Sequence, residues 1–422
     1  MLQFSSQQCH NIPNSNIFLH ILFFTTYLFI TLHNYNGRTK LIDELKNQIE
    51  NNALKIQCND DLQNIEFVND FNIEELQIVC CKNVIPKLNN PRIKKISLNY
   101  CRINSLSELE LPNLEELQIK DYSAGYNVGN IILQGVGEFQ KLKDLSLYGY
   151  SYLNLELSPI IQFTKLELGA CDLSKIQQLT QFTILTNLNL AKNPNIDITP
   201  LAQMVHLTAL DLSECSLNNV NVLKTLISLN DLDLSTNDIM DISPLQFLVQ
   251  LKELSLSLNP LINICPLQHL KQLTVLHLTE CYLVDITYLK PLSNLKELYL
   301  GHNKIIYLEP LLELKQIYLN AECNQILDVS ILKDHLQFSS FRINGQKQPN
   351  AAEIEVANNL RDINAQITSL RRIRTMHSSL KSKMALQRKK ADDCLRRISS
   401  NYTLFIEYVA LLFQQSSNRD IQ

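Results

Sequence analysis

The side chains with the clearest capacity for chemistry are acidic residues that flank a recurring Leu-x-Leu step. Like charges on neighbouring strands are unfavourable unless a cation meets them. The pattern therefore predicts a strip that binds a basic protein ligand, and one histidine and one tyrosine lie within it. The predicted protein-binding residues are Glu167, Asp211, Glu214, Asp231, Asp233, Glu253, His277, Glu280, Glu297 and Tyr299.

A second charged segment, near the C-terminal end, has the opposite sign. Residues 371–397 contain ten lysines and arginines against two aspartates, a local net charge of +8. One interpretation is the solvated face of a long helix, and the other is a contact with nucleic acid, anionic lipid or an acidic protein. The segment lacks aromatic residues for base stacking, so a nucleic-acid partner is not expected. The predicted contact residues of this basic helix are Arg371, Arg372, Arg374, Arg388, Lys389, Lys390, Arg396 and Arg397.

Motifs of catalysis are absent from the sequence. It contains no G-x-x-x-x-G-K-[ST] phosphate loop, no G-x-G-x-x-G, no H-E-x-x-H and no G-x-S-x-G. Nine glycines in 422 residues are too few for phosphate-cradling loops to form easily. His277 lies near Glu280, but a surface histidine beside an acid is more often incidental than a general base. We predict a protein without enzymatic activity, cofactor or bound metal.

The cysteines indicate the cellular compartment of the protein rather than a chemical activity. Their number is odd, 11, and no C-x-x-C pair occurs, which argues against a disulfide scaffold or a zinc module. We interpret five of them as buried thiols that fill an internal slot, which predicts a reducing compartment and a cytoplasmic protein. These five occupy a repeat position that carries asparagine elsewhere: Cys81, Cys101, Cys171, Cys215 and Cys281.

A repeat of 22 residues must position all of these side chains. It is regular from Phe163 to residue 313, with looser copies upstream from Ile73 and a short one at Leu314, about twelve copies in all. Its Leu-x-Leu step predicts a short strand, and its later spacing of three predicts a 3₁₀-like return. Because one coil cannot bury its own faces, the coils must stack. One copy contains Leu229, Leu232, Leu234, Asn237, Ile239, Ile242, Leu245 and Leu248.

The pattern LxxLxLxxNxIxxIxxLxxL resembles the leucine-rich repeat family. Turns such as Asp241-Ile-Ser-Pro244-Leu make it similar to the subclass shared by the leucine-rich regulatory subunit of protein phosphatase-1 and the bacterial internalins. The resemblance implies an α/β solenoid, a horseshoe with short parallel strands on its concave face. It further implies a non-enzymatic protein–protein interaction scaffold. The alternatives are a regulatory subunit of a serine/threonine phosphatase and a membrane-tethered, adhesion- or receptor-like protein.

Composition divides the chain into four parts. Residues 1–37 form a hydrophobic leader, 38–72 an N-terminal cap, 73–349 the solenoid and 350–415 a C-terminal helical segment resembling a coiled coil. In the last part, apolar residues step by four and three and form a seam. The seam predicts self-association, with a second protein or the solenoid as alternative partners.

The leader contains a 16-residue apolar run, Ile17 to Leu32. A transmembrane helix needs about 20 apolar residues, and no basic residue precedes the run as in a secretory signal. Two interpretations stay open. The run is either a dispensable leader or a membrane anchor, and in the second case Arg38 and Lys40 would keep the repeats on the cytoplasmic side.

Overall fold

A computed structural model describes a large part of the chain, which divides into two compact units. The first unit comprises Met1–Asp238 with Gln250–Ser255, and the second comprises Ile239–Val249 with Leu256–Gln422. The described residues are 20–24, 27–32, 52–58, 66–79, 87–100, 106, 109–120, 139–150, 163–314, 317–328, 338–349, 353–354, 357–359 and 362.

The first unit contains twelve described strands whose order in the sheet follows the chain. β1 and β2 pair antiparallel, and each later neighbouring pair is parallel. The strands are β1 (His20–Phe24), β2 (Tyr27–Leu32), β3 (Ala53–Cys58), β4 (Glu75–Val79), β5 (Lys95–Asn99), β6 (Glu116–Lys120), β7 (Asp144–Tyr148), β8 (Lys165–Glu167), β9 (Asn187–Asn189), β10 (Ala209–Asp211), β11 (Asp231–Asp233) and β12 (Glu253–Ser255).

The second unit repeats the same plan. From β13 to β16 all three neighbouring pairs are parallel, and the register shifts once, between Ile317 and Tyr318. Its described strands are β13 (Val275–His277), β14 (Glu297–Tyr299), β15 (Ile317–Asn320) and β16 (Phe338–Arg342).

Short 3₁₀ helices form the return path of the coils, as the spacing of three predicts. In the coil from Leu207 the buried residues include Leu210 and Leu212 of the strand step and Leu223 of the return. The helices are η1 (Glu66–Asp70), η2 (Gln177–Gln181), η3 (Thr199–Gln203) and η4 (Asn221–Thr225) in the first unit. In the second unit they are η5 (Ser243–Phe247), η6 (Cys265–His269), η7 (Thr287–Leu289) and η8 (Glu309–Glu313).

The Asp-Ile-x-Pro turns explain where these helices begin. The Asp241 Oδ1 atom accepts a hydrogen bond from the Ser243 backbone amide at 2.8 Å, and Pro244 follows inside the first turn of η5. Proline fits there because the first helical amides have no partner within the helix. In the turn before η3, the Asp197 Oδ1 atom likewise accepts from the Thr199 amide at 2.9 Å.

Buried asparagines connect neighbouring coils, as the sequence predicts. The Asn193 Nδ2 atom donates to the backbone oxygens of Leu168 and Leu190, both at 2.8 Å. Its Oδ1 atom accepts from the amides of Cys171 and Leu173, at 3.0 and 2.9 Å. A single side chain therefore satisfies buried groups of two coils, each of which would otherwise cost about 1–3 kcal/mol.

Three cysteines, Cys171, Cys215 and Cys281, occupy the repeat position that carries asparagine in other coils. We call residues at this position the ladder cysteines and the ladder asparagines. All three are buried, which confirms the predicted slot, whereas Cys81 and Cys101 lie outside the described residues. The Cys215 thiol lies 3.2 Å from the Leu190 oxygen and takes over one donor role of asparagine. Burial raises the pKa of Cys171 and Cys215 to about 11 and that of Cys281 to about 12.

The backbone around the ladder cysteines differs from that around the ladder asparagines. Residues on both sides of Cys215 are left-handed, Glu214 and Ser216, each with a φ of 55°. The residue before Asn237, Thr236, is left-handed with a φ of 56°, whereas Asp238 after it is not. The smaller thiol therefore coincides with two left-handed residues where asparagine has one. The left-handed conformation costs about 1–2 kcal/mol for each residue other than glycine.

The N-terminal apolar run contains two strands. His20–Phe24 and Tyr27–Leu32 are two strands that pair antiparallel, and β2 pairs with β3. Among the described residues, no helix is long and apolar enough to cross a membrane. Residues 38–51 and 59–65 of the predicted N-terminal cap lie outside the described residues.

Only the beginning of the predicted C-terminal helical segment is described. Residues 353–354, 357–359 and 362 are helical, and Ala357 is buried. The Tyr307 hydroxyl donates to Asn358 Oδ1 at 2.9 Å, which attaches this helix to the last coils of the second unit. The basic residues from Arg371 to Arg397 and the apolar seam beyond them lie outside the described residues, so the coiled coil stays a prediction.

Candidate functional site

In each unit, the outward side chains of the strands form a surface that we call the strand face of that unit; in the three-residue strands these are the first and third positions. Eight of the ten residues predicted to bind protein lie on these faces, and the middle leucine of each strand points inward and is buried. These eight are Glu167, Asp211, Asp231, Asp233, Glu253, His277, Glu297 and Tyr299.

The other two predicted residues lie elsewhere. Glu214 and Glu280 are in the turns that follow β10 and β13, where both are left-handed and exposed. The Glu214 carboxylate lies 3.4 Å from the Lys192 ammonium group. Their position next to a ladder cysteine, rather than on a strand, removes them from the strand face.

The early strands of the first unit carry charges that neutralise one another. Lys95 of β5 lies 2.6 Å from Glu116 of β6, its partner in the parallel register. Lys165 of β8 lies 2.7 Å from Glu167, two residues along the same strand, and Lys120 of β6 lies 3.8 Å from the same carboxylate. This part of the strand face therefore offers little unbalanced charge to a ligand.

Glu167 thus belongs to a neutralised group rather than to an acidic strip. Burial by itself raises the pKa of this carboxyl. Hydrogen bonds from Lys165 and Ser146, with the charges of Lys165 and Lys120, outweigh burial and hold the pKa below its usual range. Sequence reasoning missed this, although Lys165 at a spacing of two, on the same face of a strand, was a usable signal.

Four carboxylates from consecutive strands form what we call the carboxylate cluster: Asp211, Asp231, Asp233 and Glu253. The parallel register places Asp211 beside Asp233, and Asp231 beside Glu253. Neighbouring strands are about 4.8 Å apart, and residues two apart on a strand about 6.6 Å. The four groups therefore lie within one compact patch of the first unit.

The charged neighbours that shift the pKa values of Asp231 and Asp211 are other carboxylates of the cluster. Partial burial raises the pKa of Asp231, and the negative charges of Glu253, Asp233 and Asp211 raise it further. Burial also raises the pKa of Asp211, against hydrogen bonds from Ser213 and Asn189, with Asp233 adding to the rise. The ionised cluster is therefore a cost to the folded state.

The backbone hydrogen bonds that Asp211 and Asp233 accept do not require a negative charge. Asp211 Oδ1 accepts from the Ser213 amide at 2.9 Å, and Asp233 Oδ1 accepts from the Ser235 amide at 2.8 Å. Asn189, at the same position of the preceding coil, accepts from the Ala191 amide at 2.9 Å. A neutral amide therefore performs the same backbone role as an aspartate, and the negative charge is surplus to it.

Three aromatic rings on the strand face of the second unit form what we call the aromatic ladder. The rings of His277 and Tyr299 stack with centroids 4.2 Å apart and planes 6° from parallel. Tyr318 follows at 5.4 Å from Tyr299, tilted by 48°. The Tyr299 hydroxyl donates to Glu297 Oε2 at 2.8 Å, a hydrogen bond that raises the pKa of the phenol.

Sequence reasoning found two of these rings but missed Tyr318. Its strand follows after 21 residues rather than 22, so that Tyr318 pairs with Glu297 and not with Tyr299 in the register. The apolar step Leu298 to Leu319, also 21 residues, was the signal that could have placed it. A fixed repeat length assigns such a residue to the wrong position.

Chemically, the strand face is suited to binding rather than to reaction. Among the described residues, no group of three or more histidine, cysteine or acidic side chains is arranged to hold a metal ion. The carboxylate cluster presents hydrogen-bond acceptors and negative charge, while the aromatic ladder presents rings and one hydroxyl. Both features favour cationic ligands, the first through Coulomb attraction and the second through cation–π contact.

Comparison with solved structures agrees with this architecture. A leucine-rich-repeat protein of Leptospira interrogans aligns with a TM-score of 0.53 and 18% identity, over 76% of this chain and 90% of that one. The chain has the leucine-rich-repeat fold. The repeat solenoid with short parallel strands, predicted from the sequence, is thereby confirmed.

Two further structures share the repeat. TLR13, solved as a complex with ssRNA13, aligns with a TM-score of 0.56 and 22% identity, over 73% of this chain and 51% of that one. An internalin of Listeria monocytogenes, InlF, aligns with a TM-score of 0.48 and 24% identity, over 65% of this chain and 75% of that one. No protein-family model matches the sequence, and no curated protein sequence matches it.

Proposed function

We propose that this leucine-rich-repeat chain is a non-enzymatic scaffold whose carboxylate cluster binds a cationic segment of a protein partner. The supporting observation is that Asp211 and Asp233 carry a charge that the fold does not use, since Asn189 performs the same backbone role without one. A lysine or arginine from a partner would remove the repulsion within the cluster and would form charge-assisted hydrogen bonds with it.

The negative charge of the carboxylate cluster limits the classes of molecule that can bind to it. The carboxylates of the cluster repel phosphate groups as they repel one another, so a nucleic acid or an anionic lipid headgroup does not fit it. A basic protein segment fits, because its ammonium and guanidinium groups carry the opposite charge and donate charge-assisted hydrogen bonds to carboxylates.

The test measures binding of a fluorescent octa-arginine peptide to the full-length chain by anisotropy. The double variant Asp231→Asn/Asp233→Asn removes two charges and keeps the side-chain shape. The matched control, Asp172→Asn/Asp238→Asn, removes two exposed charges from turns of the same unit.

Binding roughly three- to thirty-fold weaker in the first variant is expected, from about 0.3–1 kcal/mol for each exposed ion pair. The control should bind as the wild type does. Equal weakening in both variants would show that the peptide senses only net charge, and the proposed site would be wrong.

We also propose that the protein works in a reducing, cytoplasmic compartment. Three buried thiols in ladder positions support this, and five of the described cysteines, Cys171, Cys215, Cys265, Cys281 and Cys323, form no disulfide. Fractionation of cells that produce the protein, with a probe for free thiols, tests the proposal. Recovery in a secreted or membrane fraction would contradict it.

A further inference from the structure

β16 is the last described strand of the second unit and lies at the edge of the sheet. In the coil before it, the Ala321 amide donates to the Arg342 oxygen at 2.7 Å, and the Cys323 amide donates to the Asn344 oxygen at 2.8 Å. The acceptors belong to a strand that runs parallel to the donor strand. Each coil therefore uses a parallel neighbour on this side to accept two backbone hydrogen bonds.

The corresponding donors of the last coil are the amides of Ile343 and Gly345, one 22-residue repeat later. Neither amide has an acceptor within the part of the chain that the structure describes. Among the described strands, β16 pairs with β15 alone. Unpaired donors on the edge of a sheet are a ready template for another strand, so this edge is suited to accept one from outside.

The described start of the C-terminal helix is attached to a different part of the coils. Gln325 Nε2 donates to Glu353 Oε1 at 3.1 Å, and the Tyr307 hydroxyl donates to Asn358 Oδ1 at 2.9 Å. Gln325 and Tyr307 both follow the ladder asparagine of their coil, on the way to the return. These contacts therefore hold the helix beside the return rather than on the edge of β16.

Gly345 allows another backbone to approach this edge closely. Its φ of 72° is left-handed, as is the φ of 56° at Cys323, one repeat earlier. The same left-handed position carries a side chain in the preceding coils of the second unit, namely Leu258, Glu280 and His302. Glycine at such a position is typical of a site where a ligand or a second backbone comes near.

We infer that this edge of the second unit binds an extended, acidic segment of another protein as an additional parallel strand. The amides of Ile343 and Gly345 supply the backbone hydrogen bonds, as in other cases of strand addition. Arg342 and Lys347 belong to the same coil and are exposed, so they attract acidic side chains of the added segment. This binding site is separate from the carboxylate cluster and goes beyond the proposed function.

A segment of another protein fits the edge better than the same edge of a second copy does. Two copies related by a two-fold axis would present identical edges to each other. Arg342 and Lys347 of both copies would then lie close together, and like charges on paired strands are unfavourable. The positive charge of the last coil therefore favours a partner of the opposite charge.

The first experiment measures, by anisotropy, binding of a fluorescent peptide of alternating glutamate and valine to the full-length chain. Arg342→Gln/Lys347→Gln should weaken binding by roughly three- to thirty-fold, because two exposed ion pairs are lost. The matched control, Lys271→Gln/Lys296→Gln, removes two exposed charges from earlier coils of the second unit and should bind as the wild type does. Equal weakening in both variants would overturn the inference.

A second peptide separates strand addition from attraction between charges. It has glycine in place of valine, which keeps the charge and lowers the tendency to form a strand. The wild type should bind it more weakly than the valine peptide. Equal affinity for the two peptides would show that charge alone is recognised, and strand addition would be wrong.

Gly345→Asn tests the close approach of the two backbones. Asparagine tolerates a left-handed backbone, but its side chain stands where the added strand would lie. Binding should weaken by about two- to ten-fold, as expected for the loss of one backbone hydrogen bond. Circular dichroism and thermal melting check the fold, because a Cβ atom at this position would lie 3.0 Å from Cys323 Sγ. Wild-type affinity in a folded variant would refute the close approach.

NMR of the full-length chain labelled with ¹⁵N-glycine locates the bound strand. The chain has nine glycines, and the Gly345 signal is the one that is lost in Gly345→Asn. Adding the valine peptide should shift this signal and slow hydrogen exchange of the Gly345 amide. A Gly345 signal that stays unchanged while the peptide binds would overturn the inference. A signal that shifts with protein concentration before peptide is added would also overturn it, because a second copy would then occupy the edge.

Discussion

Substitution of Asn237 tests most sharply how the coils are held together. Its buried side chain bonds to two coils of the first unit, and replacement by alanine removes every one of these bonds. Nδ2 donates to the backbone oxygens of Leu212 (2.9 Å), Leu234 (2.9 Å) and Ser235 (3.2 Å), and Oδ1 accepts from the amides of Cys215 (3.1 Å) and Leu217 (2.8 Å).

The expected loss follows from this geometry. In Asn237→Ala, two buried amides lose their acceptor at about 1–3 kcal/mol each, and the three carbonyls lose a donor. The free energy of unfolding should fall by about 3–6 kcal/mol. In Asn237→Cys the thiol can still donate, as Cys215 does to the oxygens of Leu190 and Ser213, so the loss should be smaller than in the alanine variant.

Urea denaturation of the full-length wild type and both variants, followed by circular dichroism, measures these losses. The expected order of stability is wild type, then cysteine, then alanine. If alanine and cysteine were equally destabilising, the thiol would not replace the amide as a donor. If alanine cost less than about 1 kcal/mol, the hydrogen bonds of Asn237 would contribute little to the stacking of coils.

Three further outcomes follow from the described side chains. At pH 8 the buried ladder cysteines should react with iodoacetamide at least about tenfold more slowly than half-exposed Cys323. The reason is that a thiol with a pKa of about 11 is only about one-thousandth thiolate at this pH. Peptide mass spectrometry measures the two reaction rates. Asp231→Asn should raise the free energy of unfolding at pH 7 by about 0.2–1 kcal/mol. Since the folded-state pKa of Asp231 is raised, this difference should disappear as pH falls through that pKa, and a constant difference would contradict the reasoning. Glu167→Gln should have the opposite sign, a loss of up to about 1 kcal/mol at pH 7 that disappears in acid, because the pKa of Glu167 is held low; a gain would contradict its pairing with Lys165.

The repeat architecture could be predicted because the regular spacing of single apolar residues is its physical cause. Leu210 and Leu232 are one period apart in sequence and are also partners in the parallel register. Buried leucines at a fixed period leave one way to stack the coils, so strand positions and the inward face follow from the sequence. The capping aspartates and the asparagine ladder follow for the same reason, since each contact is local to one coil or its neighbour.

The distribution of charge on the strand face was less predictable. The contact between Lys120 and Glu167 joins β6 to β8 across β7, and the coils between them have irregular lengths that hide the register. Glu167 was therefore predicted to belong to an acidic binding strip, although lysines neutralise it. Glu214 and Glu280 were predicted to lie on a strand, but they lie in turns. Each turn begins one residue after the second buried leucine of the Leu-x-Leu step, so the alternation of the strand does not extend to these glutamates.

The central claim, that the carboxylate cluster keeps its charge for a cationic ligand, is tested most directly by titrating Asp231. Selective ¹³C labelling of aspartate carboxyls allows its pKa to be measured by NMR in the full-length chain, alone and with octa-arginine. Without peptide the pKa should lie above that of a model aspartate, and with peptide it should fall, because a bound cation favours the ionised form. A pKa that stays the same when the peptide is bound would contradict the claim.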